Sequence, residues 1–168
     1  MSCFNRNWKK GVTIKGGPGI PLTRVSGIMS KNAILFTSPG ATARSAAESM
    51  KQFQRGCLVV ISRGKLVGIV TERDLVQRVL AARKNPDKTF VSQVMTKPVI
   101  TVKPDIELSE AARIMVANRI RRLPVVDGST VVGMLTVTDF ARYLRVQNSG
   151  DMLLAAASRG TEYQTIFE

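Results

Sequence analysis

Gly68-Ile69-Val70-Thr71-Glu72-Arg73-Asp74 and Gly133-Met134-Leu135-Thr136-Val137-Thr138-Asp139 read alike, 65 residues apart. Each runs out of a β-branched apolar stretch into Thr-x-x-Asp. A hydroxyl followed three residues later by a carboxylate is the pattern of a helix N-terminus. Each stretch therefore marks a strand that passes directly into a helix. Upstream the match continues. Leu66-Val67 and Val131-Val132 extend the strands, and the turns Ser62-Arg63-Gly64 and Asp127-Gly128-Ser129 precede them. Before the turns stand two further strands, Leu58-Val59-Val60-Ile61 and Leu123-Pro124-Val125-Val126. Short, turn-bounded runs of this composition read as buried strands.

Further upstream each unit holds a helical stretch, with Ala46-Ala47 and Met50 in one and Ala111-Ala112 and Met115 in the other. Leu108, Ala111, Ala112, Met115 and Val116 recur at helical spacing and form an apolar stripe, so both methionines are expected in a core. The units open on Val25-Ser26-Gly27-Ile28-Met29-Ser30-Lys31 and Val91-Ser92-Gln93-Val94-Met95-Thr96-Lys97, then enter extended apolar segments ahead of Pro39 and Pro104. The spacing is 66 residues at this end, which places one inserted residue near Phe36 to Pro39. The order in each unit is strand, helix, strand, strand, helix, a mixed α/β (α+β) arrangement. A single unit of about 50 residues has a thin core, so two are expected to cover each other's apolar faces. The chain divides into a basic extension at 1–24, repeats at 25–80 and 91–145 joined by Lys84-Asn85-Pro86-Asp87-Lys88, and an extension at 148–168. Trp8 stands in the first extension, and Met152 to Ala157 offers a short helix in the last.

Of the 168 residues, 44% are hydrophobic and 22% charged, values of a folded chain and not of a disordered one. Apolar runs such as Cys57 to Ile61 fall far short of the roughly 20 residues that span a membrane, and MSCFNRNWKKG lacks a secretory signal's apolar stretch. The expected location is the cytoplasm. Histidine is absent, which removes Ser-His, Cys-His and HExxH chemistry. No enzyme activity is expected. Cys3 and Cys57 make neither a disulfide framework nor a zinc pattern. The net charge is +13, and no acidic residue precedes Glu48 while Arg6, Lys9, Lys10, Lys15, Arg24, Lys31 and Arg44 do. Such an arm attracts nucleic acid, so a nucleic-acid-associated protein is the alternative reading, though no recognition motif accompanies it.

These paired motifs resemble the CBS domain family. The resemblance covers residues 25 to about 145 and rests on Met29 and Met95 in the opening phrases, Arg121-Arg122-Leu123-Pro124-Val125-Val126-Asp127, and the two Gly-x-x-Thr-x-x-Asp ends. Repeat 1 departs with Gly56-Cys57-Leu58-Val59 where repeat 2 has Arg121-Arg122-Leu123-Pro124. It implies two βαββα repeats packed with pseudo-two-fold symmetry, forming a Bateman module. It also implies a regulatory, energy-sensing role with AMP, ADP or ATP (less readily S-adenosylmethionine) in the clefts between repeats, association as a homodimer, and an unknown regulated protein as partner.

The residues suit that ligand. A threonine that caps a helix brings a hydroxyl to the terminus where phosphate is favoured. An aspartate one turn in can accept hydrogen bonds from both ribose hydroxyls. By resemblance one cleft combines Thr136, Thr138 and Asp139 with Lys31 to Ile34 and with Arg55, Gly56, Cys57 and Leu58. The other combines Thr71 and Asp74 with Pro98 to Ile100 and with Ile120 to Arg122. Ile34, Val99 and Ile100 offer apolar contact to a base. Arg121 and Arg122 suit phosphate through bidentate contacts. In an extended segment Arg119 and Arg121 share one side and Arg122 the other.

Overall fold

A computed structural model of the chain describes residues 23–31 and 34–145. The basic arm with Trp8, the Met152–Ala157 stretch and the rest of 148–168 lie outside these residues. The first repeat contributes β1 (Phe36–Thr37), α1 (Ala43–Gln52), β2 (Cys57–Ser62), β3 (Lys65–Thr71) and α2 (Glu72–Leu75), which continues as a π-helical stretch over Val76–Leu80. After the linker come α3 (Val91–Val94), α4 (Leu108–Asn118), β4 (Arg122–Asp127) and β5 (Thr130–Thr136). A last helix, α5, runs over 137–145.

Local sequence explains the boundaries. Thr42 caps α1, its side chain accepting from the Ser45 N–H at 3.2 Å, and Ala43, Ala46 and Met50 turn inward along one stripe. Leu108, Ala111 and Met115 are the corresponding buried stripe of α4, so Met50 and Met115 are core residues as their spacing predicts. The β2–β3 hairpin closes through Arg63 and Gly64, both at positive φ (49° and 74°), the backbone a tight two-residue hairpin requires. The sheets have the order β1-β2-β3 and β4-β5. β1 runs parallel to β2, and both hairpins are antiparallel with a register shift at Val60/Ile61 and at Val125/Val126. The first strand expected in repeat 2 is reduced to a single parallel bridge, Val102 to Val125. Arg119 is not extended: it ends α4 in the left-handed conformation at φ 54°, so the alternation expected across Arg119, Arg121 and Arg122 does not apply there.

There are two cores, and each takes a piece of the other repeat. Leu58, Val60, Val70 and Met50 pack with Val91 and Val94 of α3. Leu123, Val125, Leu135 and Met115 pack with Val25. Thus the leading segment of each sequence repeat crosses to its neighbour, and the contacts that hold it are duplicated almost atom for atom. Val91 and Ser92 N–H donate to Ala41 and Pro39 carbonyls at 2.8 and 3.0 Å; Val25 and Ser26 N–H donate to Ile106 and Pro104 at 3.0 and 2.8 Å. Thr96 pairs with Ile69 on β3, and Ser30 with Met134 on β5. Glycine makes this approach feasible. A Cβ on Gly68 would lie 2.4 Å from Met95 Sδ, and one on Gly133 2.5 Å from Met29 Sδ. The correspondence gives the pseudo-two-fold relation between the repeats. It also means that neither half closes its core alone.

Candidate functional site

The two Thr-x-x-Asp motifs fold as strand-to-helix corners. At the first, Asp74 Oδ2 accepts from the Thr71 backbone N–H (2.9 Å) and hydroxyl (2.6 Å), while Asp74 N–H donates back to Thr71 Oγ1 at 3.2 Å. At the second, Asp139 Oδ2 accepts from Thr136 N–H (2.8 Å) and hydroxyl (2.6 Å), and Asp139 N–H returns to Thr136 Oγ1 at 3.3 Å. Each is a reciprocal capping box. Both aspartates are buried, at 7% and 4% exposure, a position tolerable for a carboxylate only when its oxygens are bonded.

The second carboxylate oxygen reaches across the molecule. Asp74 Oδ1 accepts from Thr96 Oγ1 at 3.3 Å and forms an ion pair with Arg78 Nη2 at 3.2 Å. Asp139 Oδ1 accepts from Ser30 Oγ and Arg142 Nη1, both at 3.1 Å. Each carboxylate thus ties its own helix to the leading segment of the other repeat. Ser30 and Thr96, Arg78 and Arg142 are functional candidates that sequence reading did not single out. Their signal was available: matched hydroxyls after Met29 and Met95, and arginines one helical turn beyond each aspartate.

A third cluster sits where the hairpins meet. The Gly56 carbonyl accepts from Glu72 N–H and the Arg121 carbonyl from Val137 N–H, at 3.2 and 3.1 Å. A Cβ on Gly56 would lie 2.4 Å from an Arg122 guanidinium nitrogen and 2.6 Å from Glu72 Oε2. Arg122 of one repeat therefore rests on the bare backbone of the other, beside a carboxylate. The half-buried Cys57 thiol below them is pushed up from its ordinary pKa, first by burial and less by Glu72, with Arg122 and Arg55 opposing. That environment makes a poor nucleophile.

Of the residues picked out from sequence, the structure thus gathers Thr136 with Asp139, Thr71 with Asp74, and Arg122 with Gly56 and Cys57. Thr136 and Thr71 spend their hydroxyls on the aspartates and do not leave them free. Ile34 and Val99 are half-buried, while Ile100, Thr138, Arg55 and Arg121 are exposed. A separate apolar cavity of about 360 Å³ opens between α1 and α2, walled by Ala43, Ala47, Leu75, Val76, Val79 and Leu80. It shares no residue with the carboxylate corners. Among the described residues no group of histidine, cysteine and carboxylate side chains could hold a metal ion, and no helix is long and apolar enough to cross a membrane.

The CBS domain family model matches residues 25–81 and 91–146. The chain belongs to the CBS domain family. CBS pairs are regulatory modules that often bind nucleotides or S-adenosylmethionine. Relatives of this CBS pair include the CBS domain-containing protein YhcV of Bacillus subtilis, 36% identical over 64% of this chain and 76% of that protein. The uncharacterized protein MK0525 of Methanopyrus kandleri is 38% identical over 67% of this chain, but over only 59% of its own length. Among solved structures, the CBS domain pair of protein MJ0100, in complex with 5-methylthioadenosine and S-adenosyl-L-methionine, matches with a TM-score of 0.68 at 31% identity, over 76% of this chain and 99% of that one.

Proposed function

We propose that this CBS pair is a non-enzymatic sensor of an adenine nucleotide (AMP, ADP or ATP, with S-adenosylmethionine the less favoured ligand) that acts on a protein partner. The observation that carries the reading is the duplicated corner in which a buried aspartate meets a hydroxyl from the opposite repeat. A ribose presents vicinal hydroxyls, and a carboxylate anchored on one oxygen by a capping box turns the other toward the opposite repeat, where a sugar hydroxyl would replace a partner it now holds. Asp139 with Thr136, Thr138 and Ser30 is the favoured cleft. Arg122 lies where the repeats meet, and phosphate suits its fork. Asp74 with Thr71 is the second. The likeness to a CBS pair crystallised with two adenosyl compounds supports the ligand class.

The helices of both repeats keep exposed apolar side chains: Leu80 and Val116 are each 73% exposed, and Val76 and Leu144 are exposed too. The cavity between α1 and α2 adds to that area. A second copy of the chain is the occupant we propose, making a homodimer. Light scattering that gave a monomer at high concentration would rule it out. A cytoplasmic protein fits the ligand.

The nucleotide reading is tested by thermal melting with AMP, ADP, ATP and S-adenosylmethionine, together with mass spectrometry of small molecules released from the purified protein. A ligand at 100 times its dissociation constant adds about 2.7 kcal/mol. Each kcal/mol raises Tm by roughly 2–4 °C in a chain of this size, so the expected shift is about 5–11 °C. No shift with any of the four compounds would defeat the reading.

A further inference from the structure

The aspartates that the proposed function assigns to ribose already hold partners on both oxygens. An ionised carboxylate offers about four acceptor positions. Asp139 receives four donors, from Thr136 N–H, Thr136 Oγ1, Ser30 Oγ and Arg142. Asp74 receives three, from Thr71 N–H, Thr71 Oγ1 and Thr96 Oγ1, and its Oδ1 is ion-paired with Arg78 Nη2 at 3.2 Å. A sugar hydroxyl must take a fourth donor's place on Asp139, and at Asp74 it must enter where the Arg78 guanidinium stands. The backbone N–H and the capping hydroxyl belong to the helix start, and the Ser30 and Thr96 hydroxyls belong to segments paired into β5 and β3. The displaceable group in each corner is the arginine, which reaches the buried carboxylate from solvent.

The two arginines are not held alike. Arg142 is 66% exposed in its side chain, and among the described residues its bond to Asp139 is the one it makes. Arg78 is 44% exposed and also donates to the Val94 carbonyl at 2.7 Å and the Met95 carbonyl at 3.0 Å. Its fork spans the carboxylate of one repeat and the backbone of the other. Pulling it off Asp74 strains the tie to two further acceptors. Pulling Arg142 off Asp139 breaks a single pair of the partly exposed kind that contributes little.

We propose that Arg78 and Arg142 are guards that set which cleft fills: Arg142 yields to ligand, whereas Arg78, clamped to Val94 and Met95, keeps the Asp74 cleft closed. This rests on the nucleotide reading above. It adds that the chain binds one nucleotide, in the Asp139 cleft, and that a change at Arg78 opens the second cleft without altering any ligand-contacting group. Arg78 is a positioning residue here, since it acts by holding Asp74 and the Val94–Met95 backbone.

The test is a calorimetric titration with AMP of the wild-type chain, Arg78→Met and Arg78→Lys, with circular dichroism to establish that each is folded. The expected stoichiometry is one AMP per chain for wild type and two for each variant. Lysine keeps the charge but has no fork to bridge carboxylate and carbonyls, so it also opens the cleft and carries the test if Arg78→Met does not fold. Two sites in wild type, or one site in folded Arg78→Lys, overturns the proposal while the nucleotide reading stands. If wild type is silent, two outcomes remain. Binding that appears only in the variants upholds the Arg78 guard but overturns the claim that Arg142 yields in the wild-type chain, and silence throughout ends both inferences. Titration with adenosine isolates the other guard. Without a phosphate for a freed Arg142 to contact, Arg142→Met is expected to bind about two- to five-fold more tightly than wild type; equal or weaker binding contradicts a guarding role.

Discussion

The two repeats share a backbone plan down to matching hydrogen bonds, yet they differ where the hairpins meet. Repeat 1 presents Gly56 and Cys57, with Glu72 at the start of its second helix. Repeat 2 presents Arg121 and Arg122 in the matching places, with Val137 at its helix start. The shared parts are those on which folding depends: buried valines and leucines, capping boxes, and glycines under the crossing methionines. Of the parts that diverge, Gly56, Glu72 and Arg122 meet between the repeats. The packing is alike in the two repeats while the residues where the hairpins meet differ, so one scaffold carries two unequal corners.

Equivalence in the cores is the claim with the largest measurable effect. Leu58 and Leu123 occupy matching positions, each 0% exposed. Leu58→Ala and Leu123→Ala should each cost about 2–5 kcal/mol in chemical denaturation. Because each core borrows a segment from the other repeat, unfolding should remain a single transition in both variants. Two separated transitions in either would break the picture of mutually dependent halves.

A smaller effect sharpens the comparison. Gly68→Ala and Gly133→Ala both drive a methyl group into a methionine, but the surroundings differ. At Gly68 the contacts include Met95 Cβ at 3.2 Å, close to the backbone and unable to move far. At Gly133 they are Met29 Sδ, Cγ and Cε, which can rotate away. Overpacking of this kind costs about 1–3 kcal/mol, with Gly68→Ala expected at the upper end and Gly133→Ala at the lower. The reverse order, measured by urea titration, would mean that the leading segment of repeat 1 is the more tightly held.

Most of the fold was legible in the sequence because repetition made each weak signal count twice. The Thr-x-x-Asp corners, the Ala/Met stripes of α1 and α4 and the β2–β3 and β4–β5 hairpins lie within short windows where local preference and burial agree. The exchange of leading segments was not legible. Val25 and Val91 read as the start of their own repeats, and only tertiary contact reveals that Val25 packs against Leu123 and Val91 against Leu58. The reduced first strand of repeat 2 has a similar origin. A short apolar run such as Val99-Ile100-Thr101-Val102 predicts a strand, but Val102 finds a single bridge to β4. The carboxylates of the candidate site were visible, whereas their occupancy was not. Arg78 and Arg142 resemble ordinary solvent-facing cations of a basic chain, and their pairing with Asp74 and Asp139 depends on the helices that carry them.

The inequality of the two clefts is tested most directly by titrating AMP into Asp139→Ala and Asp74→Ala by calorimetry. Both substitutions remove a capping carboxylate, and each should cost about 1 kcal/mol of stability from the cap alone. Loss of fold is thus controlled by the pair. The expected result is that Asp74→Ala binds one AMP as wild type does, while Asp139→Ala binds none. Binding that survives in Asp139→Ala and disappears in Asp74→Ala would contradict the account.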